Sequence, residues 1–165
     1  MSQVTSGKRA KVTTPSDTEI LIEREFDAPK HLVYKAYTTP DLVSRWWPGE
    51  RGEMAECEID LRPGGRWRYA MVAKGDFQVA FHGEYSEVVE NERLVTTEVY
   101  EGAPPGTPPA LSIATFEESE GRTTLSMLMR VESREVRDMI IESGMEGGVQ
   151  EGMDILEQVT RELAA

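Results

Sequence analysis

Between Met54 and Val131, apolar and polar side chains alternate along most of the chain, and this alternation constrains the fold more than any other feature. In residues 55–61, for example, every second side chain is apolar and the three between them are acidic. A period of two places successive side chains on opposite faces of a strand. It is typical of antiparallel strands with one face on a core and the other in water. The middle of the chain therefore predicts an antiparallel sheet.

Residues 55–61 and 67–71 predict a hairpin, and its register follows from its turn. If the apolar side chains of both strands share one face, Leu61 pairs with Trp67 around the loop Pro63-Gly64-Gly65. Proline suits the first position of a three-residue loop, and glycine suits its left-handed last position. In this register Asp60 would lie opposite Arg68 on the water face, as an opposite-charge pair.

Four more strands are predicted, at residues 77–85, 94–100, 111–116 and 125–131. For the strand at 94–100 the alternation leaves the inward face undecided. The two alternatives are Leu94, Thr96, Glu98 and Tyr100, or Val95, Thr97 and Val99. In the first case the Glu98 carboxyl would point inward, with a raised pKa or a polar partner, and would be a candidate functional group.

The other segments predict one strand and three helices, at residues 20–26, 29–37, 40–46 and 134–163. Each short helix has a proline in its first turn, and Ser133 is in position to cap the long helix. The order of elements predicts an α+β domain in which a curved sheet wraps the long C-terminal helix. We assign residues 17–165 to this single domain and expect residues 1–16, which are polar and basic, to be a disordered tail.

Three glycines, Gly144, Gly148 and Gly152, recur at every fourth position of the predicted long helix. Each costs about 1 kcal/mol relative to alanine inside a helix, so their presence calls for a structural reason. Two reasons remain open. The glycines could allow close packing of the helix on the sheet, or they could leave space for a ligand.

The charge balance excludes several classes of partner. The chain has 18 Lys and Arg against 30 Asp and Glu, a formal net charge of −12. Nucleic-acid binding relies on basic side chains that neutralise phosphates, and an anionic membrane surface also attracts basic segments. We therefore expect neither nucleic acid nor a membrane as a partner. A homodimer is compatible with the sequence.

Motifs for catalysis, metals and cofactors are missing from the sequence. There is one cysteine, Cys57, and there are two histidines, His31 and His82, so a multi-cysteine or His-rich metal site is not expected. The alternation places His82 on the water face and Cys57 on the inner face. We expect no metal and no cofactor. The absence of disulfides and of an apolar N-terminal segment favours the cytoplasm as the location.

Five blocks of the sequence resemble a known family. They are FDAPKHLVYKAYTTPDLVSRWW, CEIDLRPGGRWRYAM, FHGEY, ERLVTTEVY and SGMEGGVQEGMDILEQV, in this order. The chain from about Ile20 to Leu163 is similar to the AHSA1-like branch (activator of Hsp90 ATPase homologue) of the START-like, or SRPBCC, superfamily. The resemblance implies the helix-grip (Bet v 1-like) fold, in which a seven-stranded antiparallel sheet grips a long C-terminal helix over a cavity, with two short helices.

The residues expected to line such a cavity are aromatic side chains, methionines, glycines and one acid. They are Trp47, Trp67, Tyr69, Phe81, Tyr85, Glu98, Met127, Met129, Met145, Gly148, Val149, Gly152 and Met153. The aromatic members could equally be ordinary core. Thioethers adapt to varied apolar shapes, which suits a tolerant pocket. No residue is assigned a catalytic role.

The expected function is therefore non-catalytic binding of a hydrophobic small molecule, either aromatic and polyketide- or flavonoid-like, or lipid-like. The loop 102–109, rich in glycine and proline, would lie near the mouth as a lid. Two alternatives remain: an enzyme of the cyclase or hydrolase type that uses a cavity carboxylate, and a chaperone-linked (Hsp90) stress-response protein. The second follows from the family name alone, and we expect no chaperone partner, because prokaryotic single-domain members lack the extra domain of the eukaryotic activator.

Overall fold

A computed structural model describes residues 9–165 and has an α+β architecture, with one antiparallel sheet and four helices in the described part. The strands are β1 (Lys11–Thr13), β2 (Glu19–Phe26), β3 (Gly52–Ile59), β4 (Arg66–Ala73), β5 (Phe77–Val89), β6 (Arg93–Tyr100), β7 (Ala110–Ser119) and β8 (Arg122–Arg130). The helices are α1 (Lys30–Thr38), α2 (Pro40–Trp46), α3 (Arg134–Glu142) and α4 (Met145–Ala164). The spatial order of the strands is β1-β2-β8-β7-β6-β5-β4-β3.

This architecture confirms the predicted helix-grip arrangement, in which a curved sheet packs on the C-terminal helix α4. The two short helices lie where the proline signals placed them. At one end of the sheet the space between the layers is filled by apolar side chains. The fully buried members of this core include Ile20, Phe26, Val33, Phe116, Leu125, Leu156 and Val159. Beside this core, between the sheet and the helices α2 and α4, the two layers leave a cavity.

The sheet has eight strands in the described part of the chain, one more than expected. The additional strand, β1, pairs antiparallel with β2, with Val12 opposite Ile22. Ala10 is buried, and its backbone N–H and C=O both bond to the Gln150 side chain of α4, at 2.9 and 2.7 Å. The structure thus differs from the expected tail at residues 10–13. Residues 1–8 lie outside the described part.

The hairpin register is shifted by two residues from the prediction. Trp67 pairs with Ile59 rather than Leu61, and Arg68 lies opposite Glu58 rather than Asp60. The turn is longer than the expected three-residue loop: residues 60–65 connect the strands, the Asp60 N–H donates to the Arg66 carbonyl and the Gly65 N–H donates to the Arg62 carbonyl. A β-bulge between Met54 and Glu56 also leaves Ala55 exposed, although the alternation predicted it to be inward.

The predicted long helix at 134–163 is wrong in one respect, because it is two helices. Ser143 ends α3, and Gly144 adopts a left-handed conformation with φ of 87° before α4 begins. A left-handed glycine is a common way to end an α-helix. The Ile140 carbonyl near this end accepts from both the Ser143 hydroxyl, at 2.5 Å, and the Ser143 backbone N–H, at 3.2 Å.

A buried arginine, which the alternation did not single out, joins the sheet to α4. Arg24 lies between Ile22 and Phe26 on the inner face of β2 and is 2% exposed. Its guanidinium donates to Glu157 at 2.7 Å and to Asp154 at 3.1 Å. This ion pair sets how α4 lies on β2, because a buried charge without a partner is costly.

Among residues 9–165, no helix is long and apolar enough to cross a membrane.

Candidate functional site

A cavity of about 840 Å³ lies between the sheet and the helices α2 and α4. Its walls come from β2, from β4 to β8, from the ends of α1 and α2, and from the first half of α4. The mouth is marked by lining residues that are also exposed: Glu50, Arg51, Lys74, Phe77, Ser143 and Gly144. The cavity thus opens between the loop after α2, the β4–β5 turn and the α3–α4 junction.

All thirteen residues expected at the site line this cavity. On the sheet these are Trp67, Tyr69, Phe81, Tyr85, Glu98, Met127 and Met129; on the helical side they are Trp47, Met145, Gly148, Val149, Gly152 and Met153. The structure shows that these residues surround one cavity, and their contact with a ligand remains a prediction.

Trp47 forms an aromatic bridge across the cavity. It follows α2 directly, and its ring meets Tyr69 and Phe81 of the sheet edge to face, at centroid distances of 5.4 and 5.8 Å. Trp67 extends the same wall and lies 4.8 Å from Tyr69. Offset and edge-to-face contacts of this kind stabilise aromatic clusters beyond the area they bury. The contacts among Trp47, Tyr69, Phe81 and Trp67 therefore hold these rings as a rigid aromatic wall of the cavity.

Trp46 serves a different purpose from its neighbour. It is 6% exposed, its indole N–H donates to the Ala36 carbonyl at 2.9 Å, and its ring stacks on Tyr37 at 5.4 Å. The Tyr37 hydroxyl contacts the Met127 sulfur at 3.3 Å. These contacts tie α1 and α2 to the sheet, so Trp46 anchors the helices while Trp47 spans the cavity.

Gly83 explains how Trp67 is held. The Trp67 indole N–H donates to the Thr97 carbonyl at 3.2 Å, passing over β5 at Gly83. A Cβ at Gly83 would lie 1.9 Å from that carbonyl oxygen and 2.8 Å from the indole nitrogen. The glycine is therefore required for the position of this wall residue.

The structure explains each of the three glycines Gly144, Gly148 and Gly152 by a different local feature. Gly144 ends a helix in the left-handed region. A Cβ on Gly152 would lie 3.1 Å from the Trp46 carbonyl, so this glycine permits close approach of α4 to α2. A Cβ on Gly148 would make only ordinary contacts with Arg51, at 3.7 Å, and it faces the cavity. Space therefore explains Gly148 and close packing explains Gly152, although the close partner is α2 rather than the sheet.

Glu98 faces the cavity, which decides the alternative that the sequence left open. Leu94, Thr96 and Glu98 line the cavity, whereas Tyr100, at the end of β6, is exposed and packs on Phe81 without lining the cavity. Burial raises the pKa of the Glu98 carboxyl to about 7. The effect extends to Tyr37 and Tyr69, whose pKa values are raised by burial first and by the Glu98 charge as well.

Other expectations concern residues outside the cavity. His82 lies on the outer face of the sheet, 2.9 Å from Glu101, and does not line the cavity. Cys57 is half-buried, and burial raises the pKa of its thiol to about 11, which makes it a poor nucleophile. The loop 102–109 contributes no lining residue, so the lid expected from it is not supported.

Sequence reasoning did not name several lining residues. Tyr37, Ser112 and Ala114 belong to this group. The strand at 111–116 has no clean alternation, so its inward face could not be read. Tyr37 ends a short helix, where the apolar pattern is too brief to define a face. Once β7 is paired with β6 and β8, the inward parity of Ser112 follows from its partners Thr96 and Met129.

Comparison with known proteins gives a consistent family and fold. Residues 27–161 match the family described as "Activator of Hsp90 ATPase homolog 1-like protein". No curated protein matches the chain.

Three bacterial structures illustrate the likeness in fold. A protein from Rhodobacter sphaeroides has a TM-score of 0.86 at 22% identity, covering 93% of this chain and 99% of its own. Protein CV1439 from Chromobacterium violaceum has a TM-score of 0.75 at 25% identity, covering 88% and 98%. CalU16 from Micromonospora echinospora has a TM-score of 0.61 at 24% identity, covering 98% and 78%.

Proposed function

This chain belongs to the activator of Hsp90 ATPase homolog 1-like family, and we propose that it binds a hydrophobic small molecule, aromatic or lipid-like, between its sheet and α4. The observation that carries the proposal is the cavity of about 840 Å³ with its aromatic and methionine lining. Pockets for small molecules typically have volumes of about 300–1,000 Å³ and mostly apolar walls. The fold itself commonly binds hydrophobic ligands.

The lining favours a ligand with rings or a bulky apolar body. The Trp47, Tyr69 and Phe81 rings form a rigid wall, and Met127 and Met129 face it from β8. Rigid rings provide shape, whereas thioethers adjust to what is bound. This combination supports tolerant recognition of apolar surface rather than recognition through many hydrogen bonds.

The proposal can be tested by titration with the neutral dye N-phenyl-1-naphthylamine. All three tryptophans line the cavity, so energy transfer from tryptophan to the bound dye reports binding inside it. We expect saturable binding with a dissociation constant of about 1–100 μM, which corresponds to about 5–8 kcal/mol.

Two serine variants provide a matched control. Ser112 lines the cavity on β7, and Ser126 lies on the opposite face of the sheet, on β8. S112F fills space that the dye would occupy, so we expect it to weaken binding at least about tenfold. S126F should leave binding within about twofold of the wild type. Absence of saturable binding, or equal effects of the two variants, would contradict the proposal.

A second function, an enzyme of the cyclase or hydrolase type, is supported by Glu98 alone. A carboxyl group with a pKa of about 7 inside a cavity suits general acid or base catalysis near neutral pH. The test is hydrolysis of p-nitrophenyl hexanoate by the wild type and by E98Q. Turnover that E98Q loses while it retains dye binding would support the enzyme. Equal rates in both proteins would exclude a catalytic role for Glu98 in ester hydrolysis.

A further inference from the structure

Glu98 is the one charged group that lies deep in the cavity, among the lining residues described. The other charged lining residues, Glu50, Arg51 and Lys74, are exposed and belong to the mouth. Glu98 comes from the middle of the sheet, on β6 between Thr96 and Tyr100. It lies on the same face as Leu94, which is 3% exposed. A ligand that enters past the mouth therefore meets one ionisable acid.

The Glu98 carboxyl forms no hydrogen bond or ion pair with any residue in the range 9–165. The titratable groups that face it are Tyr37 from α1 and Tyr69 from β4, whose pKa values respond to its charge. Both tyrosines are neutral at physiological pH, because burial raises their pKa above the ordinary tyrosine value of 10.0. Other inward acids are paired: Glu157, for example, binds Arg24. Glu98 therefore lacks the compensation that a buried carboxylate normally has.

We infer that the ligand of this cavity is an apolar molecule that carries a protonated amine, and that the Glu98 carboxylate binds this amine. The inference rests on the proposed function, since it concerns the same cavity. An ammonium group supplies both a positive charge and N–H donors, and charge-assisted hydrogen bonds are about twice as strong as neutral ones. It is the ligand group that best compensates an isolated carboxylate.

The aromatic wall supports the same choice. Tyr69, Trp67 and Phe81 line the cavity together with Glu98, and faces of aromatic rings attract cations through their quadrupole. An apolar amine would thus place its hydrocarbon body against the rings and its charge at the carboxylate. An apolar carboxylate, such as a fatty acid, would place a second negative charge near Glu98 and would be disfavoured.

The charge of the whole chain also favours a cation. The formal net charge is −12, and a field of one sign attracts ligands of the opposite charge. At the mouth, Arg51 is partly neutralised by Glu151, at 3.5 Å, and Glu50 lies beside it in the chain. Lys74 is exposed to solvent, where screening weakens its repulsion of a cation.

The test compares three ligands that share one apolar body: adamantylmethylamine, adamantylmethanol and adamantanecarboxylate. Binding is measured by calorimetry and by displacement of N-phenyl-1-naphthylamine at about pH 8, where Glu98 is ionised. We expect the amine to bind at least about tenfold more tightly than the alcohol, and the carboxylate to bind most weakly.

E98Q should abolish the preference for the amine, so that the variant binds the amine and the alcohol with affinities equal within about twofold. The matched control is E84Q, which removes the same charge from an exposed position on the outer face of β5. E84Q should retain the preference for the amine. If the overall net charge were responsible, the two variants would behave alike.

The outcomes separate this inference from the proposed function. Equal binding of amine and alcohol, or an amine preference that survives in E98Q, would overturn the role of Glu98 and leave hydrophobic binding intact. Failure of all three ligands and of the dye to bind would overturn both.

Discussion

Trp47, directly after α2, and Tyr69, on β4, meet edge to face across the cavity with their ring centroids 5.4 Å apart. The contact connects the helical layer, at the end of α2, to strand β4 of the sheet. It differs from the contacts of the adjacent Trp46, which is buried and hydrogen-bonded to Ala36. Both tryptophans line the cavity, but Trp46 is anchored in the core by its hydrogen bond, whereas Trp47 reaches across the cavity to the sheet.

Alanine substitutions of these tryptophans should separate the two tasks. W46A removes a buried ring and its hydrogen bond, and should lower the free energy of unfolding by about 3–5 kcal/mol. W47A removes a half-buried ring that already borders open space, and should cost about 1–3 kcal/mol. Urea denaturation followed by circular dichroism measures both. A larger cost for W47A would show that it, rather than Trp46, anchors the helices.

The pH dependence of stability should report Glu98. Because its pKa rises from 4.5 unfolded to about 7 folded, the folded state binds the proton more tightly. The resulting stabilisation is fully present below pH 4.5 and is lost as the pH rises through about 7. Between about pH 4 and pH 8, the free energy of unfolding of E98Q should rise by about 1–3 kcal/mol relative to that of the wild type. Thermal unfolding at both pH values measures the difference, and parallel profiles of the two proteins would contradict it.

The three glycines of the C-terminal region should respond differently to alanine. G148A should raise the free energy of unfolding by about 0.5–1 kcal/mol, because the new Cβ has room and helix propensity improves. G144A should lower it by about 1 kcal/mol or more, since φ of 87° is strained for alanine. G152A should lie between them, because its Cβ would press on the Trp46 carbonyl. Chemical denaturation ranks the three, and a destabilising G148A would argue against free space at that position.

The buried ion pair between Arg24 and Glu157 should contribute far more to the free energy of unfolding than the exposed pair between Arg45 and Glu162 of the same helix. E157A leaves Arg24 buried without its main partner and should cost about 3–5 kcal/mol. Glu162 pairs with Arg45 where both are about half exposed, so E162A should cost less than about 1 kcal/mol. The comparison uses chemical denaturation at moderate salt. Similar costs for the two variants would mean that water reaches the Arg24 pair.

The general architecture and the inward strands could be predicted because alternation and proline signals are local properties of the chain. The same locality explains the errors. The face of Glu98 depends on the pairing of β6 with β7, and the hairpin turn is bonded to β5, where Tyr85 accepts from the Gly64 N–H and donates to the Gly65 carbonyl. Both are contacts between distant segments, which alternation within one strand does not specify.

Strand β1 and the burial of Arg24 could not be predicted either, because both depend on contacts between distant segments. Nothing in the sequence around Lys11–Thr13 suggests a strand, because this segment is held by its pairing with β2. Arg24 interrupts an apolar face, and only its partners Asp154 and Glu157 on α4 make its burial understandable. The break at Gly144 could have been anticipated, since glycine commonly ends helices, but its spacing with Gly148 and Gly152 suggested a continuous helical stripe.

The most direct test of a ligand-binding cavity is a nuclear magnetic resonance titration of methyl-labelled methionine with N-phenyl-1-naphthylamine. Five methionines line the cavity and surround the space where the dye should bind: Met71, Met127, Met129, Met145 and Met153. Met139 lies on α3, is 67% exposed and does not line the cavity, so it serves as an internal control. We predict saturable shifts of the methyl signals of these cavity methionines and an unchanged Met139 signal. Cavity signals that stay unchanged while Met139 shifts would place the dye on the surface and contradict the account.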